Sequence, residues 1–277
     1  MAKTLFVTGA SSGLGREMTQ QLLARGDRVV ATIRQEAALA DLQQSYPEAL
    51  VTMILDVTDV DGLHRTVGDA FARMGRIDVV VSNAGYGLFG AAEEVTDAQI
   101  DHQLATNLTG SIRLIRATLP HLRRQGGGRI VQVSSEGGQI AYPGFSLYHA
   151  TKWGIEGFVE AVAQEVASFG IDFIIAEPGP TVTNFAGGLV RPTPMDAYLQ
   201  TPAGDVRRML DDGSFVLKGD GPRTAAAIIA AADSQNPALR LALGSTAYAS
   251  ISEALAQRLE AIEAQRAIAF SADRDDL

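Results

Sequence analysis

Tyr148 and Lys152 stand four residues apart in the run Tyr148-His149-Ala150-Thr151-Lys152. Residues at that spacing share one face of a helix, so a helix opening near Tyr148 points both side chains the same way. The chemistry such a pair offers is proton transfer. A free phenol ionises near pH ~10, and bringing it to about 7 requires roughly 4 kcal/mol in favour of the phenolate. An ammonium at about 4–5 Å supplies roughly that much at an effective dielectric near ~20. The spacing therefore predicts that Lys152 alone nearly accounts for an acidic Tyr148. A Tyr-x3-Lys pair on a helix surface also arises by chance, so other residues have to join it. Ser135, after Ser134, ends an apolar run.

A second cluster lies near the N-terminus. The run Thr8-Gly9-Ala10-Ser11-Ser12-Gly13-Leu14-Gly15 follows an apolar segment and opens a helical one. Glycine tolerates positive φ and lets backbone approach a ligand closely. Free N–H groups at a helix start favour a pyrophosphate. The spacing is Gly-x3-Gly-x-Gly rather than the common dinucleotide fingerprint, and an ordinary glycine-rich turn is the plainer reading. Gly9-Ala10-Ser11-Ser12-Gly13 also fits a hydrolase nucleophile elbow, but it follows the first strand, and no Asp-then-His order stands out downstream. The second apolar run ends Ala31-Thr32-Ile33-Arg34. Ile33 stands where an acid would bond a ribose 2′-hydroxyl, and a guanidinium matches a 2′-phosphate. That favours NADP(H) over NAD(H). Against it, Arg34 reads equally as a solvated charge, and Glu36 is a possible acid for NAD.

These residues need a frame. Short Val- and Ile-rich runs at Leu5–Thr8, Arg28–Ile33, Val51–Leu55, Ile77–Ser82, Arg129–Ser134 and Ile171–Ala176 are apolar at nearly every position. That is the pattern of strands covered on both faces. Between them lie helical stretches at Gly13–Arg25, Glu36–Gln44, Val60–Met74, Asp97–Arg124 (one helix or two) and Tyr148–Ser168. The alternation predicts an α/β, doubly wound, mostly parallel sheet of about seven strands in a single domain spanning 1–277. Leu239–Leu243 adds a last strand, and a helical extension occupies 245–277, helical over Ser245–Phe270. The stretch 184–221, with Pro192, Pro194 and Pro202, reads as a loop or lid over one end of the sheet, with a short helix near Asp205–Leu210. Strand ends meet at the carboxyl edge of such a sheet, which brings Ser135 near the glycine loop.

Composition narrows the rest. The chain has 277 residues, 46% hydrophobic, no cysteine and a formal net charge of −9 at pH 7. Cysteine chemistry is excluded, and the acidic balance argues against nucleic-acid partners. No signal-peptide pattern opens the chain and no run is long enough for a bilayer, so a cytoplasmic, membrane-free protein is expected. His64, His102 and His121 lack metal-ligand spacing, and no metal is expected.

Taken together the chain resembles the short-chain dehydrogenase/reductase family, in its compact single-domain branch, over most of its first 185 residues. The resemblance makes Gly9, Ser11, Ser12, Gly13, Leu14 and Gly15 the cofactor loop and Asp56-Val57 the adenine-contacting pair. It makes Asn83-Ala84-Gly85, preceded here by Ser82 rather than the usual Asn, the structural motif beside the cofactor. Asn107, Ser135, Tyr148 and Lys152 fall on the catalytic four, and Pro178-Gly179 with Thr181 and Thr183 on the segment holding the nicotinamide carboxamide. The implied reaction is hydride transfer between NADP(H) and a small-molecule carbonyl or alcohol. Ser135 would polarise the carbonyl oxygen, Tyr148 give or take the proton, Lys152 hold the ribose hydroxyls, and Asn107 anchor a water in a relay from Lys152 or kink its helix. Asp56 also reads as the N-cap of the helix near Val60. Leu88, Phe89, Ile140, Phe145, Phe185 and Leu189 are either substrate-lining or core; if lining, the substrate is apolar, an aromatic or alicyclic ketone. His149 is expected to face away from the chemistry, and Trp153 to pack. The family resemblance further implies a homodimer or homotetramer. An NAD-linked alcohol dehydrogenase and a non-catalytic nucleotide sensor are the rival readings.

Overall fold

The computed structural model describes residues 2–274, with Ala186 described by its backbone only. Residues 1 and 275–277 of the expected domain and extension lie outside the described residues. The chain runs β1 (Thr4–Val7), α1 (Gly13–Ala24), β2 (Arg28–Ile33), α2 (Ala40–Ser45), β3 (Leu50–Ile54), α3 (Val60–Met74) and β4 (Val79–Ser82). Next come α4 (Asp97–Leu104), α5 (Gly110–Arg124), β5 (Gly128–Val133), α6 (Ser146–Val166) and β6 (Ile171–Pro178). Then follow β7 (Thr181–Val182), α7 (Asn184–Gly187), α8 (Pro202–Asp211), β8 (Gly219–Asp220), α9 (Gly221–Asp233), β9 (Arg240–Leu243), α10 (Ser245–Ala264) and α11 (Arg266–Phe270).

Seven strands form one parallel sheet in the order β3-β2-β1-β4-β5-β6-β9. The all-apolar runs serve both faces by the two-residue period of a strand. In β4, Val80 joins the core under α3, α5 and α6, while Val79 and Val81 join the core under α1 and α9. Strand order reverses between β1 and β4, which opens a crevice at their carboxyl ends, the place where ligands bind in such sheets. Among the described residues no helix is long and apolar enough to cross a membrane.

The segments read from periodicity depart from the structure in a few places. The stretch Asp97–Arg124 is two helices joined by a π-helical turn, Ala105–Thr109. Glu36–Gln44 opens as a 3-10 turn, Glu36–Leu39, before α2. Asp59, not Asp56, caps α3 by accepting the Gly62 N–H at 3.0 Å; Asp56 instead accepts the Thr58 N–H at 2.9 Å and the Thr58 hydroxyl at 2.7 Å. Helix α9 was not anticipated. Its Ala-rich sequence carries no polar stripe, yet Asp220 caps it at the Arg223 N–H, 2.8 Å away, and Ala225, Ile228 and Ala232 are buried in the α1-side core.

Candidate active site

The glycine loop and β4 are tied at the crevice. The Thr8 hydroxyl accepts the N–H groups of Asn83 (3.0 Å) and Ala84 (3.1 Å), and the Asn83 amide donates to the carbonyls of Thr8 (2.9 Å) and Gly9 (3.2 Å). Gly9 and Gly13 take positive φ, 65° and 54°. A Cβ on Gly15 would stand 2.4 Å from the Gly9 carbonyl oxygen, so this turn closes only without a side chain. Ser12 is the N-cap of α1 but makes no side-chain capping bond. The first N–H groups of α1 are therefore left for another acceptor, as a pyrophosphate cradle requires. The residues present fit a dinucleotide.

Ser135, Tyr148 and Lys152 converge. Ser135 is extended at the end of β5, caps the 3-10 turn Glu136–Gly138 through the Gly137 N–H (3.1 Å), and its hydroxyl favours ionisation of the Tyr148 phenol. The Lys152 ammonium lies 5.5 Å from the Tyr148 ring centroid and donates to the Val133 carbonyl at 3.0 Å. Both side chains are buried. The expected pKa does not follow. Burial pushes the Tyr148 phenol up to about 12, against the lowering influence of Ser135, and the Glu136 and Glu156 carboxylates add to the rise. Burial likewise pushes Lys152 down to about 8. The expectation that Lys152 alone nearly accounts for an acidic phenol does not follow here: burial penalises both charged forms and is the largest influence on each.

Asn107 is buried in the π-helical turn, with its side chain committed to Tyr86: Oδ1 accepts the Tyr86 N–H (3.0 Å) and Nδ2 donates to the Tyr86 carbonyl (2.8 Å). A Cβ on Gly85 would meet that same Asn107 side chain at 3.2 Å. Ser11 and Ser12 are exposed, and Leu14 packs at the edge of the α1-side core. Arg34 is exposed past β2 and its charge acts on Asp56, while Ile33 is buried. Val57 is core, in contact range of Gly110. Pro178 ends β6, the Gly179 N–H donates to Leu243 (3.0 Å), the Thr181 hydroxyl donates to the Gly179 carbonyl (2.8 Å), and Thr183 caps α7 beside Gly13.

The apolar candidates divide. Phe145 and Phe185 flank Tyr148, with ring centroids at 6.2 and 5.5 Å, and Leu189 packs on the same cluster. Leu88 and Phe89 are 1% exposed, so they are core. Leu88 pairs with Val190, and Phe89 supports Phe145 from behind at 5.0 Å. Ile140 is half-buried outside this cluster, and its carbonyl accepts the Trp153 indole at 3.3 Å. Trp153 is half exposed and carries the Arg258 guanidinium 5.1 Å above its ring. His149 is turned to the backbone of the 136–142 turn, bonded to the Gly137 carbonyl (2.8 Å) and the Tyr142 N–H (2.9 Å).

Sequence reasoning missed Tyr142, Val206 and Leu210, which pack on the Tyr148 cluster. It also missed Glu94, whose side chain is fully buried and ties three segments: it accepts the N–H groups of Ala91 (2.7 Å) and Met195 (2.9 Å) and pairs with Arg207 of α8. The adjacent pair Glu93-Glu94 gave no signal of which acid turns inward. Burial pushes the Glu94 carboxyl up, but the Met195 N–H, Arg207 and the Ala91 N–H outweigh it and hold it below the usual range. Its stabilisation is thus complete above the ordinary carboxylate pKa and lost as pH falls through the lowered value. Glu94→Ala strands Arg207 and is expected to cost about 3–5 kcal/mol in denaturant unfolding at neutral pH; a loss below ~1 kcal/mol would remove the latch.

Comparison with known proteins identifies the family. The family model described as short chain dehydrogenase matches residues 3–192. The oxidoreductase BOA17 of Botryotinia fuckeliana is 37% identical over 246 residues, covering 88% of this chain and 89% of that protein. A crystal structure of a short-chain dehydrogenase from Streptomyces avermitilis superposes with a TM-score of 0.90 at 38% identity, covering 98% of each chain. ElxO, solved with NADPH bound, superposes with a TM-score of 0.72 at 25% identity, covering 87% of this chain and 97% of its own. The chain belongs to the short-chain dehydrogenase family and is an oxidoreductase.

Proposed function

We propose that this chain reduces an apolar, cyclic ketone to the alcohol with NADPH, using Tyr148 as proton donor. The observation that carries this reading is the convergence of Ser135, Tyr148 and Lys152 at the same carboxyl edge of the sheet from which the uncapped start of α1 leaves β1. NADPH supplies the hydride when bound. Ser135 donates to the substrate carbonyl oxygen and polarises it. Tyr148 gives that oxygen its proton. A phenol pushed up to about 12 by burial carries its proton at neutral pH, as the group that protonates the carbonyl oxygen must. Lys152, pushed down to about 8, exchanges protons near neutrality and is placed to reload the phenol. Asn107 holds the π-helical turn beside them and is assigned to the relay side of the site. Arg34 at the end of β2 and the NADPH-bound state of ElxO support NADP(H) over NAD(H).

The apolar side of the substrate is assigned to Phe145, Phe185 and Leu189, roofed by Val206 and Leu210 of α8. On this reading 184–221 is the substrate lid, and a homodimer or homotetramer in the cytoplasm is the working form. The test is the loss of NADPH absorbance with a panel of aromatic and alicyclic ketones. Turnover that is greater with these than with small polar aldehydes is the expected result. Tight NADPH binding without turnover on any carbonyl would favour a sensor instead.

A further inference from the structure

Glu156 lies on α6 one turn beyond Lys152 and two beyond Tyr148, and is 2% exposed. One carboxylate oxygen accepts the Ser134 hydroxyl. The other accepts the Gln139 amide at 2.9 Å and the Arg240 guanidinium of β9. Ser134 is the neighbour of Ser135, and its N–H donates to Ala176 of β6 at 2.7 Å. Gln139 also reaches Glu177 at 3.3 Å, and Arg240 binds Glu177 as well. Glu177 is buried on β6 immediately before Pro178-Gly179. The packing is close: a Cβ on Gly138 would stand 1.8 Å from a Glu156 oxygen. One carboxylate therefore touches, or is one partner away from, the Ser135 turn, the Tyr148–Lys152 turn and the Pro178-Gly179 segment.

Carboxylates outnumber cations around Glu156, and Lys152 is one of the two cations beside them among the described residues. Around this carboxylate stand Lys152 and Glu160 on α6, Glu177 on β6 and Arg240 on β9, while Glu136, in the turn after β5, acts with Glu156 on the Tyr148 phenol. Arg240 is shared by Glu156, Glu160 and Glu177. Burial, then the Glu156 charge, pushes Glu177 towards its neutral form despite Arg240 and Gln139. Tyr142 and Ser250 occupy the two Glu136 oxygens. Arg240 is divided among three carboxylates, and Lys152 is the further cation, one helical turn from Glu156. A buried charge without a partner is costly, so each buried group of the Glu156–Lys152 pair gains from the other.

We propose that Glu156 is a positioning residue for the reaction centre, holding the Ser135 turn, the Tyr148–Lys152 turn and the Pro178-Gly179 segment on one buried carboxylate and serving as the counter-charge of Lys152. The inference rests on the assignment of Ser135, Tyr148 and Lys152 as that centre. Burial lowers Lys152, and the Glu156 charge is the influence that opposes it.

The chain has three lysines, Lys3, Lys152 and Lys218, so the ε-carbon NMR signals of the full-length protein labelled at lysine are assignable by substitution of the other two. In Glu156→Gln the Lys152 midpoint is expected to fall by about 1–3 pH units, the size of a close charge partner's effect. Glu160→Gln, altering a half-exposed partner of the same Arg240, moves it by less than ~0.5. kcat falls about tenfold or more while the NADPH dissociation constant stays within about threefold, and Glu156→Asp recovers part of the loss. A merely structural role lowers Tm and leaves the Lys152 midpoint where it was; that result overturns the proposal. If Glu156→Gln does not fold, Glu156→Gln with Arg240→Gln removes charge and partner together, and a smaller fall is expected because a nearby positive charge is lost as well; an unmoved or raised midpoint overturns the proposal. The midpoint is read without substrate, so a wild type inactive on ketones would refute the reductase reading alone, and an active wild type with an unmoved midpoint would refute this inference alone.

Discussion

Tyr148→Phe is expected to cut ketone reduction by about two to four orders of magnitude, the range of a positioned general acid, while NADPH binds within about threefold of wild type. The substitution removes one oxygen. Ser135 loses its phenol partner, but the ring stays packed against Phe145 and Phe185. Among the described residues no hydrogen bond joins the glycine loop to the lost hydroxyl. A kcat within a few-fold of wild type would mean that the substrate oxygen takes its proton elsewhere. His149 is not a substitute, because both its ring nitrogens are bonded to backbone and burial lowers its pKa. Steady-state kinetics with a fluorescence titration of NADPH separate the two quantities.

Arg34→Ala is expected to raise the NADPH dissociation constant about 10- to 100-fold, the worth of one charged hydrogen bond, and to leave NADH nearly unchanged. The effect is selective because the two cofactors differ only in the 2′-phosphate. Arg34 is exposed, so the difference shrinks as salt rises. Where an NAD-binding chain would place an acid at the end of the second strand, this chain has Ile33, 2% exposed and without a polar atom to offer. Asp56 is occupied by Thr58, whose N–H and hydroxyl, aided by the Arg34 charge, hold its carboxyl low against burial. Equal losses for NADPH and NADH would place the phosphate contact elsewhere and reopen the NAD reading.

The parallel sheet was legible because strands buried on both faces leave unbroken Val and Ile runs, as Val79–Val81 do. The convergence of Ser135 and the Tyr148–Lys152 turn was legible from one helical period and one strand end. Three features were not. Glu94 and Arg207 are joined across more than a hundred residues, and no local pattern announces a pair of that separation. Helix α9 hides because Ala225–Ala232 has little polar contrast, so periodicity is silent although propensity favours a helix. The Tyr148 pKa was misjudged because a pairwise Coulomb argument omits desolvation, which depends on how completely Phe145, Phe185 and α8 close over the phenol. Leu88 and Phe89 were ambiguous for a related reason: an apolar residue beside a site looks the same in sequence whether it lines the cavity or supports its wall.

The central claim is hydride delivery to a carbonyl carbon at the Ser135–Tyr148–Lys152 centre. Its most direct measurement is the fate of deuterium from NADPH labelled at the nicotinamide C4, followed by mass spectrometry of the product from an accepted ketone. The account predicts label from one C4 face alone, carried on the carbinol carbon of the alcohol and abolished with turnover in Tyr148→Phe. Alcohol product without label, or label released to solvent, would contradict it.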